Sequence, residues 1–523
     1  MKTLTKIITA ISFVFVSICS PTYAMMTDWF DTPDQQNTFD LDQIALSHFY
    51  TQHQTYLWLE NQQTTNQAYD ALDFIASASQ HGLNPDDYHY SILKQLDPTD
   101  TILTAQQFDI LLTDGLLKLI HDIKVGKLTA SQADPDWFIP QKTFNSVLFL
   151  KEALVNKQLK ADLATLIPRS FNYLTLTKAL ARYQSYVARG GWPHIPLTAS
   201  IRPGDSHTSL PIIRSRLLFE DNHIVLPANI LSSLRYDQQT EQAVRHFQAT
   251  HGLKVDGIIG KETINTMNIS ANERVQQIKV ALERRRWMPE NLGRQYVFIN
   301  LANYTLQAVE EDQEKLNMRV IVGRKKRPTP SFSSQMDRIV MNPYWNVPRK
   351  LAVKDLLPKQ QQDFNYFYTH DIRVYTRENG HRIEHDPYLI DWQTLNEHNF
   401  PYTLRQDPGS HNALGRIKFL FPNEWAIYLH DTNHKKLFTN TIRSISSGCI
   451  RVEDPIALAN FSLANRLQPA TILEMIDSKQ NIGQKVTKSL SIYAAYFTVW
   501  VANNEVHFSP DIYQRDQRMA KSL

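Results

Sequence analysis

Trp425-Ala426-Ile427-Tyr428-Leu429-His430-Asp431-Thr432 and, nineteen positions beyond its histidine, Ser446-Ser447-Gly448-Cys449-Ile450-Arg451 decide how this chain is read. Trp425 to Leu429 is strand-like text that delivers His430 at its end. Cys449 is one of two cysteines, and the other, Cys19, lies in an N-terminal stretch with the pattern of an export signal. An exported protein normally pairs its cysteines, so a lone thiol is buried, intermolecular or chemically used. Here it follows a glycine, precedes an arginine by two residues and has a candidate base upstream. These features point to a nucleophile rather than a small buried hydrophobe. A thiolate, not a thiol, attacks a carbonyl, and His430 can take the proton and later return one to a leaving amine. Gly448 allows close approach of a substrate and frees backbone N–H groups near Cys449 to hold an oxyanion. Arg451 offers a planar charge suited to a carboxylate, the alternative being a surface ion pair. Tyr428 shares a strand face with His430. Tyr428 and Trp345 are candidate walls of a substrate channel, or else core.

Outward from this pair, residues 294–479 keep a strand period. Tyr296, Phe298, Asn300 and Leu301 begin it, followed by Leu306 to Val309, Met318 to Val322, Ile339 to Met341 and Ile417 to Phe421. Runs of strands with few helices predict a mainly β, sandwich-like domain rather than a parallel sheet. Asp454-Pro455 opens a helix by an N-cap with proline at the first position. Residues 349–402 interrupt the strands with Phe364, Tyr366, Phe367, Tyr368, Tyr375, Tyr388 and Trp392 among many charges. So long an insertion reads as a lid or capping element, the alternative being a decorative surface subdomain. Residues 480–523 form a tail expected to pack on this domain.

Upstream, residues 40–200 read as helical: Tyr69, Leu72, Ile75 and Ala76 recur at helix spacing, as do Leu111, Leu112, Leu116, Leu119 and Ile120. Nothing there suggests catalysis, and a scaffold or partner-binding domain is expected. Residues 205–270 read as a small all-α module. Asp237 caps a helix carrying Ala243, Val244 and Phe247, Gly252 stops it, and Asp256-Gly257 makes a tight turn before Thr263, Ile264 and Met267.

Residues 1–24 have the basic start, the short apolar run of about twelve residues and the Thr22-Tyr23-Ala24 ending of a signal peptide, too short to span a membrane. An uncleaved inner-membrane anchor is the alternative, and Ile18 before Cys19 argues against lipidation. The mature protein is expected in the periplasm. At 523 residues and 42% hydrophobic content the chain holds several domains with packed cores. The formal charge of +3 falls to +1 without Lys2 and Lys6, which gives no support for nucleic-acid binding. No His/Cys cluster has ligand spacing, so neither metal nor organic cofactor is expected.

His430 with Ser446-Ser447-Gly448-Cys449-Ile450-Arg451 resembles the signature of the L,D-transpeptidase catalytic domain. Arg405-Gln406-Asp407-Pro408-Gly409, Asn412-Ala413-Leu414-Gly415-Arg416-Ile417-Lys418-Phe419 and Asn342-Pro343-Tyr344-Trp345-Asn346-Val347-Pro348 resemble its long periplasmic subfamily. That subfamily joins a helical scaffold domain and a peptidoglycan-binding domain to this catalytic domain. Ala243 to Gln248 with His251 to Gly260 is similar to the peptidoglycan-binding domain, although an inherited fold without glycan affinity would look the same. The resemblance implies attack by Cys449 on tetrapeptide stems, release of D-alanine, a thioester and a 3→3 cross-link. It implies stems as donor and acceptor, cell-wall synthases as further partners, and carbapenems as acylating agents. Many members carry histidine directly before the Gly-Cys pair; the long subfamily usually has serine, as Ser447 is here, which leaves His430 as the base and His434, in exposed loop text, as its rival. The group orienting His430 is either a backbone carbonyl near Asp431 or the Asp431 carboxylate. A wall-binding scaffold with an incidental thiol and a thiol amidase or carboxypeptidase of the same fold are the alternative readings.

Overall fold

The computed structural model describes residues 41–50, 56–196, 199–220, 226–464 and 466–523, so the expected signal peptide lies outside the described residues. Two compact units emerge: one holds the chain up to Lys124 together with Thr143–Ile167, the other Val125–Lys142 with Pro168–Leu523. No helix among the described residues is long and apolar enough to cross a membrane.

The first unit is helical: α1 (Gln43–Tyr50), α2 (Asn66–Ala76), α3 (Ile102–Lys124), α4 (Ser146–Asn156) and α5 (Leu159–Thr165). α3 is its axis. Leu111, Leu112, Leu116, Leu119 and Ile120 are fully enclosed with Ile75, Leu150 and Leu163 around them. Among the polar groups buried with them, the Asp109 carboxylate accepts the Leu57 and Trp58 amides at 2.8 and 2.9 Å and the Tyr50 hydroxyl at 2.6 Å. Burial nevertheless pushes its pKa up to about 6. Tyr69, expected on the apolar face of α2, is instead 57% exposed, while Ala68, Ala71 and Ile75 make that face.

In the second unit α7 (Leu210–Glu220), α8 (Gln238–Thr250) and α9 (Lys261–Met267) follow α6 (Tyr173–Ala188) and enclose Ile213, Leu217, Val244, Phe247, Ile264 and Met267. Asp237 caps α8 by accepting the Thr240 amide at 2.8 Å. The Phe-Gln pair divides its labour. Phe247 fills the core, and the buried Gln248 side chain accepts the Asp256 and Gly257 amides at 3.1 and 2.9 Å, fixing a turn whose Gly257 has φ +70°.

α10 (Ala271–Trp287) leads into the β domain. Its strands are β1 (Gln295–Asn300), β2 (Thr305–Glu310), β3 (Gln313–Gly323), β4 (Ser331–Met341), β5 (Ile417–Leu420), β6 (Leu429–His430), β7 (Ile450–Val452) and β8 (Ile482–Ala495). They hydrogen-bond in the order β5-β6-β7-β3-β2-β1-β8-β4, and β4 pairs again with β5. The expected sandwich is therefore one sheet wrapped over a single core, its two ends joined. Val297, Leu306, Val320, Ile339, Phe419, Leu429 and Ile450 point inward, and α11 (Pro455–Ser462) and α12 (Pro469–Asp477) add Leu458, Phe461, Ile472 and Ile476. Asp454 caps α11 through the Ala457 amide at 3.0 Å.

The insertion has its own core of Val353, Leu356, Phe367, Val374, Trp392 and Phe400 beside a four-stranded sheet that ends on Trp345–Asn346. Two of its aromatic residues, Phe367 and Trp392, are thus structural and unable to touch a ligand; Phe364, Tyr368 and Tyr388 remain on its surface. Residues 480–523, expected as a tail, begin instead with β8, an internal strand of the sheet between β1 and β4, so the β domain runs past residue 479. Only the chain after it packs on the domain, the Tyr513 hydroxyl donating to the Gly323 carbonyl at 2.5 Å and Arg515 to the Thr329 carbonyl at 3.1 Å.

One glycine in α3 tests this packing. A Cβ at Gly115 would press into the Tyr88 carbonyl oxygen and lie 3.3 Å from Ile75 Cδ1. Helix propensity favours alanine by about 1 kcal/mol, but overpacking costs about 1–3 kcal/mol and involves rigid backbone. Gly115→Ala is expected to lower the midpoint of thermal or urea unfolding of the helical unit; an unchanged or raised midpoint would show that Tyr88 yields freely.

Candidate active site

Strand register builds the site. β6 and β7 run parallel with Leu429 opposite Ile450 and His430 opposite Arg451. β5 lies on the other side of β6, antiparallel, with Lys418 opposite His430. Because side chains alternate, Ile417, Phe419, Leu429, Ile450 and Val452 enter the core while Lys418, His430 and Arg451 form a row on the other face. Tyr428 and Cys449, one residue earlier on the inner-facing partners of that row, share its face. The Ile450 amide donates to the Tyr428 carbonyl at 3.2 Å, which locks the two neighbours together.

His430 Nδ1–H donates to the Asp431 carbonyl at 2.5 Å. The Leu414 backbone also bonds the imidazole, so backbone carbonyls and not the Asp431 carboxylate orient the ring. The Asp431 carboxylate is turned elsewhere, accepting the Arg416 amide at 2.8 Å and forming an ion pair with the Lys435 ammonium at 2.5 Å, packed so closely on Gly415 that a side chain there would collide. Burial pushes the His430 pKa down to about 3, and the Arg451 and Lys418 charges act in the same direction. The imidazole is neutral at any pH near 7.

Cys449 is free and partly exposed. Its thiol points toward the Ala426 carbonyl at 3.9 Å and meets the Tyr428 hydroxyl, which is also bonded to the Trp345 side chain. The protein around the sulfur strips away water and raises its pKa; the Tyr428 amide, Lys418, the Tyr428 hydroxyl and Arg451 all oppose that rise. Tyr428 and Trp345 are therefore more than walls: together they present an O–H to the sulfur. A direct Cys449–His430 hydrogen bond is not among those of the described residues.

Gly448 has φ +124° and nothing within 4 Å of where a Cβ would stand, so the approach to the thiol is open. Its own N–H is not available to an oxyanion, because it donates to Ser446 Oγ at 3.1 Å; the Cys449 amide, without a partner among the described residues, is. The Gly448 carbonyl accepts Thr329 Oγ1 at 2.8 Å, which ties the nucleophile turn to the segment clamped by the tail. Ser447 is exposed and accepts from Arg327 at 3.1 Å, and Arg327 also holds Asp355 of the insertion at 2.7 Å. Arg451 makes no ion pair among the described residues; its contact is Thr432 Oγ1 at 3.4 Å, and its Nε has no partner. His434 stands on an exposed turn away from this row.

Lys418 was not visible as a site residue in the sequence. Its ammonium lies 3.7 Å from the Tyr428 ring centroid, and burial lowers its pKa. The signal was there in the alternation Ile417, Lys418, Phe419, but only the β5–β6 register aims it at His430. Arg327 and Thr329 were equally silent, since they act from 120 and 119 positions away.

Residues 294–475 match the family model of the L,D-transpeptidase catalytic domain, 228–267 that of a "Putative peptidoglycan binding domain", and 44–180 that of a "Scaffold domain". Matches to the scaffold, peptidoglycan-binding and L,D-transpeptidase catalytic domain models thus follow one another along the chain, the last of them on the β domain. A Haemophilus influenzae protein named "Putative L,D-transpeptidase" is 35% identical over 245 residues, which is 47% of this chain and 49% of that protein. The chain thus spans about half the length of that curated relative. Crystal structures of L,D-transpeptidases from Xylanimonas cellulosilytica and Stackebrandtia nassauensis align over 57% of this chain and 99% and 97% of theirs, at 14% and 12% identity and TM-scores of 0.17 and 0.21. At those scores the alignments add nothing to the assignment of the fold.

A neutral imidazole beside a thiol of raised pKa predicts the alkylation profile of Cys449. The thiolate fraction grows tenfold per pH unit below the thiol pKa. The rate with iodoacetamide is expected to climb steadily from pH 5 to 8 with no inflection near 6.5. Lys418→Met removes a cation that favours the thiolate and should slow alkylation at pH 7 severalfold. A rate plateau below pH 7 would instead reveal a preformed thiolate–imidazolium pair.

Proposed function

We propose that this protein is a periplasmic L,D-transpeptidase that joins peptidoglycan stems through a cysteine thioester. The observation that carries the proposal is the placement of Cys449 and His430 on one face of adjacent strands, with the imidazole Nδ1–H held by the Asp431 carbonyl. Cys449 Sγ attacks the carbonyl carbon between the third stem residue and terminal D-alanine, and its proton passes to His430 Nε2. The Cys449 amide and the Tyr428 hydroxyl are the donors on hand for the oxyanion. On collapse the C–N bond breaks and His430 returns the proton to the departing D-alanine amine. The amine of a neighbouring stem then attacks the thioester, loses a proton to His430 and expels the sulfur, leaving a 3→3 cross-link. Arg451 and Lys418 offer charge to stem carboxylates. The insertion, tied by Asp355 to Arg327 and Ser447, covers the acyl-enzyme and favours the amine over water. Export by residues 1–24 and association with cell-wall synthases belong to the same reading.

Purified protein incubated with tetrapeptide stems should give, by mass spectrometry, a dimer lacking one D-alanine. Cys449→Ala should abolish it and His430→Ala reduce it by about 10²-fold or more, while His434→Ala leaves it nearly unchanged. Trimmed monomers alone would mean a hydrolase of the same fold. A carbapenem should add its mass to Cys449; a folded, reduced protein that takes up no adduct and yields no product would be a wall-binding scaffold.

A further inference from the structure

On the outer face of β1, β2 and β3, a row runs Phe298–Gln307–Asn317, fixed by register: Phe298 opposite Gln307 and Gln307 opposite Asn317. It floors a groove of about 720 Å³ whose walls are Leu253 and Val255 of the small helical module, Trp500 and His507 of a C-terminal hairpin (Val499–Ala502 paired with Glu505–Phe508), and Thr439 to Arg443. The last wall is the segment leading into the Ser444–Ser446 strand and then the nucleophile turn.

The charged side chains of the groove are tied to neutral partners of the protein. Arg285 spends its guanidinium on the carbonyls of Phe171, Ala281 and Val499 at 3.0, 2.8 and 3.0 Å. Arg443 is spent on those of Val320, Asn440 and Tyr304 at 3.1, 2.9 and 3.1 Å. Glu314 accepts from the amides of Gln307 and Asn317. Those two amides are thereby oriented with their carbonyl oxygens unused among the described residues, while Asn303, its oxygen taken by the Thr305 amide at 3.1 Å, keeps its N–H donors. Trp500, stacked on His507 with ring centroids 5.3 Å apart, supplies a rigid aromatic plate. Fixed amides that donate and accept, beside an aromatic face, suit a neutral polyhydroxylated ligand: each sugar hydroxyl both donates and accepts, and its C–H face packs on a ring. A peptide carboxylate or a phosphate would find no unspent cation here.

We propose that this groove binds the glycan strand of the substrate, lying between the small helical module and the loop that leads to Cys449. The proposal rests on peptidoglycan being the substrate, and it separates strand recognition from stem chemistry. The groove walls are held in place by packing of the module on the hairpin: His251 stacks on Phe508 at 5.4 Å and Arg274 covers the same ring at 4.3 Å. A strand seated along it has its stems presented toward the side on which the nucleophile turn begins.

The test uses the whole protein and a tetramer of β-1,4-linked N-acetylglucosamine as a peptide-free probe. The tetramer should change intrinsic tryptophan fluorescence saturably, with the signal lost in Trp500→Phe. The double variant Gln307→Ala/Asn317→Ala should weaken binding at least tenfold. These side chains point away from the core, and an unchanged unfolding midpoint checks that the fold is kept. With glycan-linked stems the double variant should raise KM about tenfold, while turnover of free stems and alkylation of Cys449 stay at wild-type levels. Absence of binding, or binding that the double variant leaves intact and so places elsewhere, overturns the groove. Loss of free-stem turnover in the wild-type protein overturns the transpeptidase reading instead, whatever the tetramer does.

Discussion

The parallel pairing of β6 with β7 is the constraint on which the rest of this molecule turns. It puts the imidazole of one strand end beside the strand that begins at the thiol, and it does so with backbone hydrogen bonds, which do not depend on the identity of any catalytic side chain. A slip of one residue would send His430 and Arg451 into the core and Leu429 and Ile450 out of it. The apolar residues between the polar ones therefore enforce the site: Leu429 and Ile450, both fully enclosed, cannot leave the core, so His430 and Arg451 cannot enter it. Joining β4 to β5 removes the free edges on either side and holds that register from both directions.

Electrostatics then fix what the pair can do. Two cations flank His430, and burial already disfavours its charge, so the resting site holds a neutral base and a protonated thiol. In the proposed reaction that positive charge would serve species that appear later: the thiolate, the oxyanion and the carboxylates of a stem. The same arrangement explains why the Asp431 carboxylate is turned away toward Arg416 and Lys435. Beside the imidazole it would stabilise imidazolium; a backbone carbonyl orients the ring with less charge.

Much of the chain serves to hold the nucleophile turn still. Thr329 bonds both the Gly323 amide and the Gly448 carbonyl, and Tyr513 and Arg515 of the tail press on the same segment. Arg284 of α10 pairs with Asp516, 232 positions further on, so the helix that connects the small module to the β domain is pinned by the tail as well. Gly448 at φ +124° can take its conformation at little cost because it has no Cβ. The turn is mobile by composition and rigid by context.

The sequence by itself determined the order of modules, the β character of residues 294–479, the helix caps at Asp237 and Asp454, and the identity of Cys449 and His430, because each is written in local signals: periodicity, caps, and a thiol without a partner. It also named Arg451, Tyr428 and Trp345 by strand alternation and resemblance. It left the orienting group of His430 open, did not say which backbone N–H near Cys449 is available, and treated all the aromatics of the insertion alike. Lys418, Arg327 and Thr329 were absent from it altogether. What separates the two sets is range. Alternation says which residues share a face of one strand, but which strands lie side by side is settled by pairing across tens to hundreds of positions. Only the folded sheet decides that Lys418 faces His430, that Tyr428 offers its hydroxyl to the sulfur, and that a carbonyl rather than a carboxylate holds the imidazole.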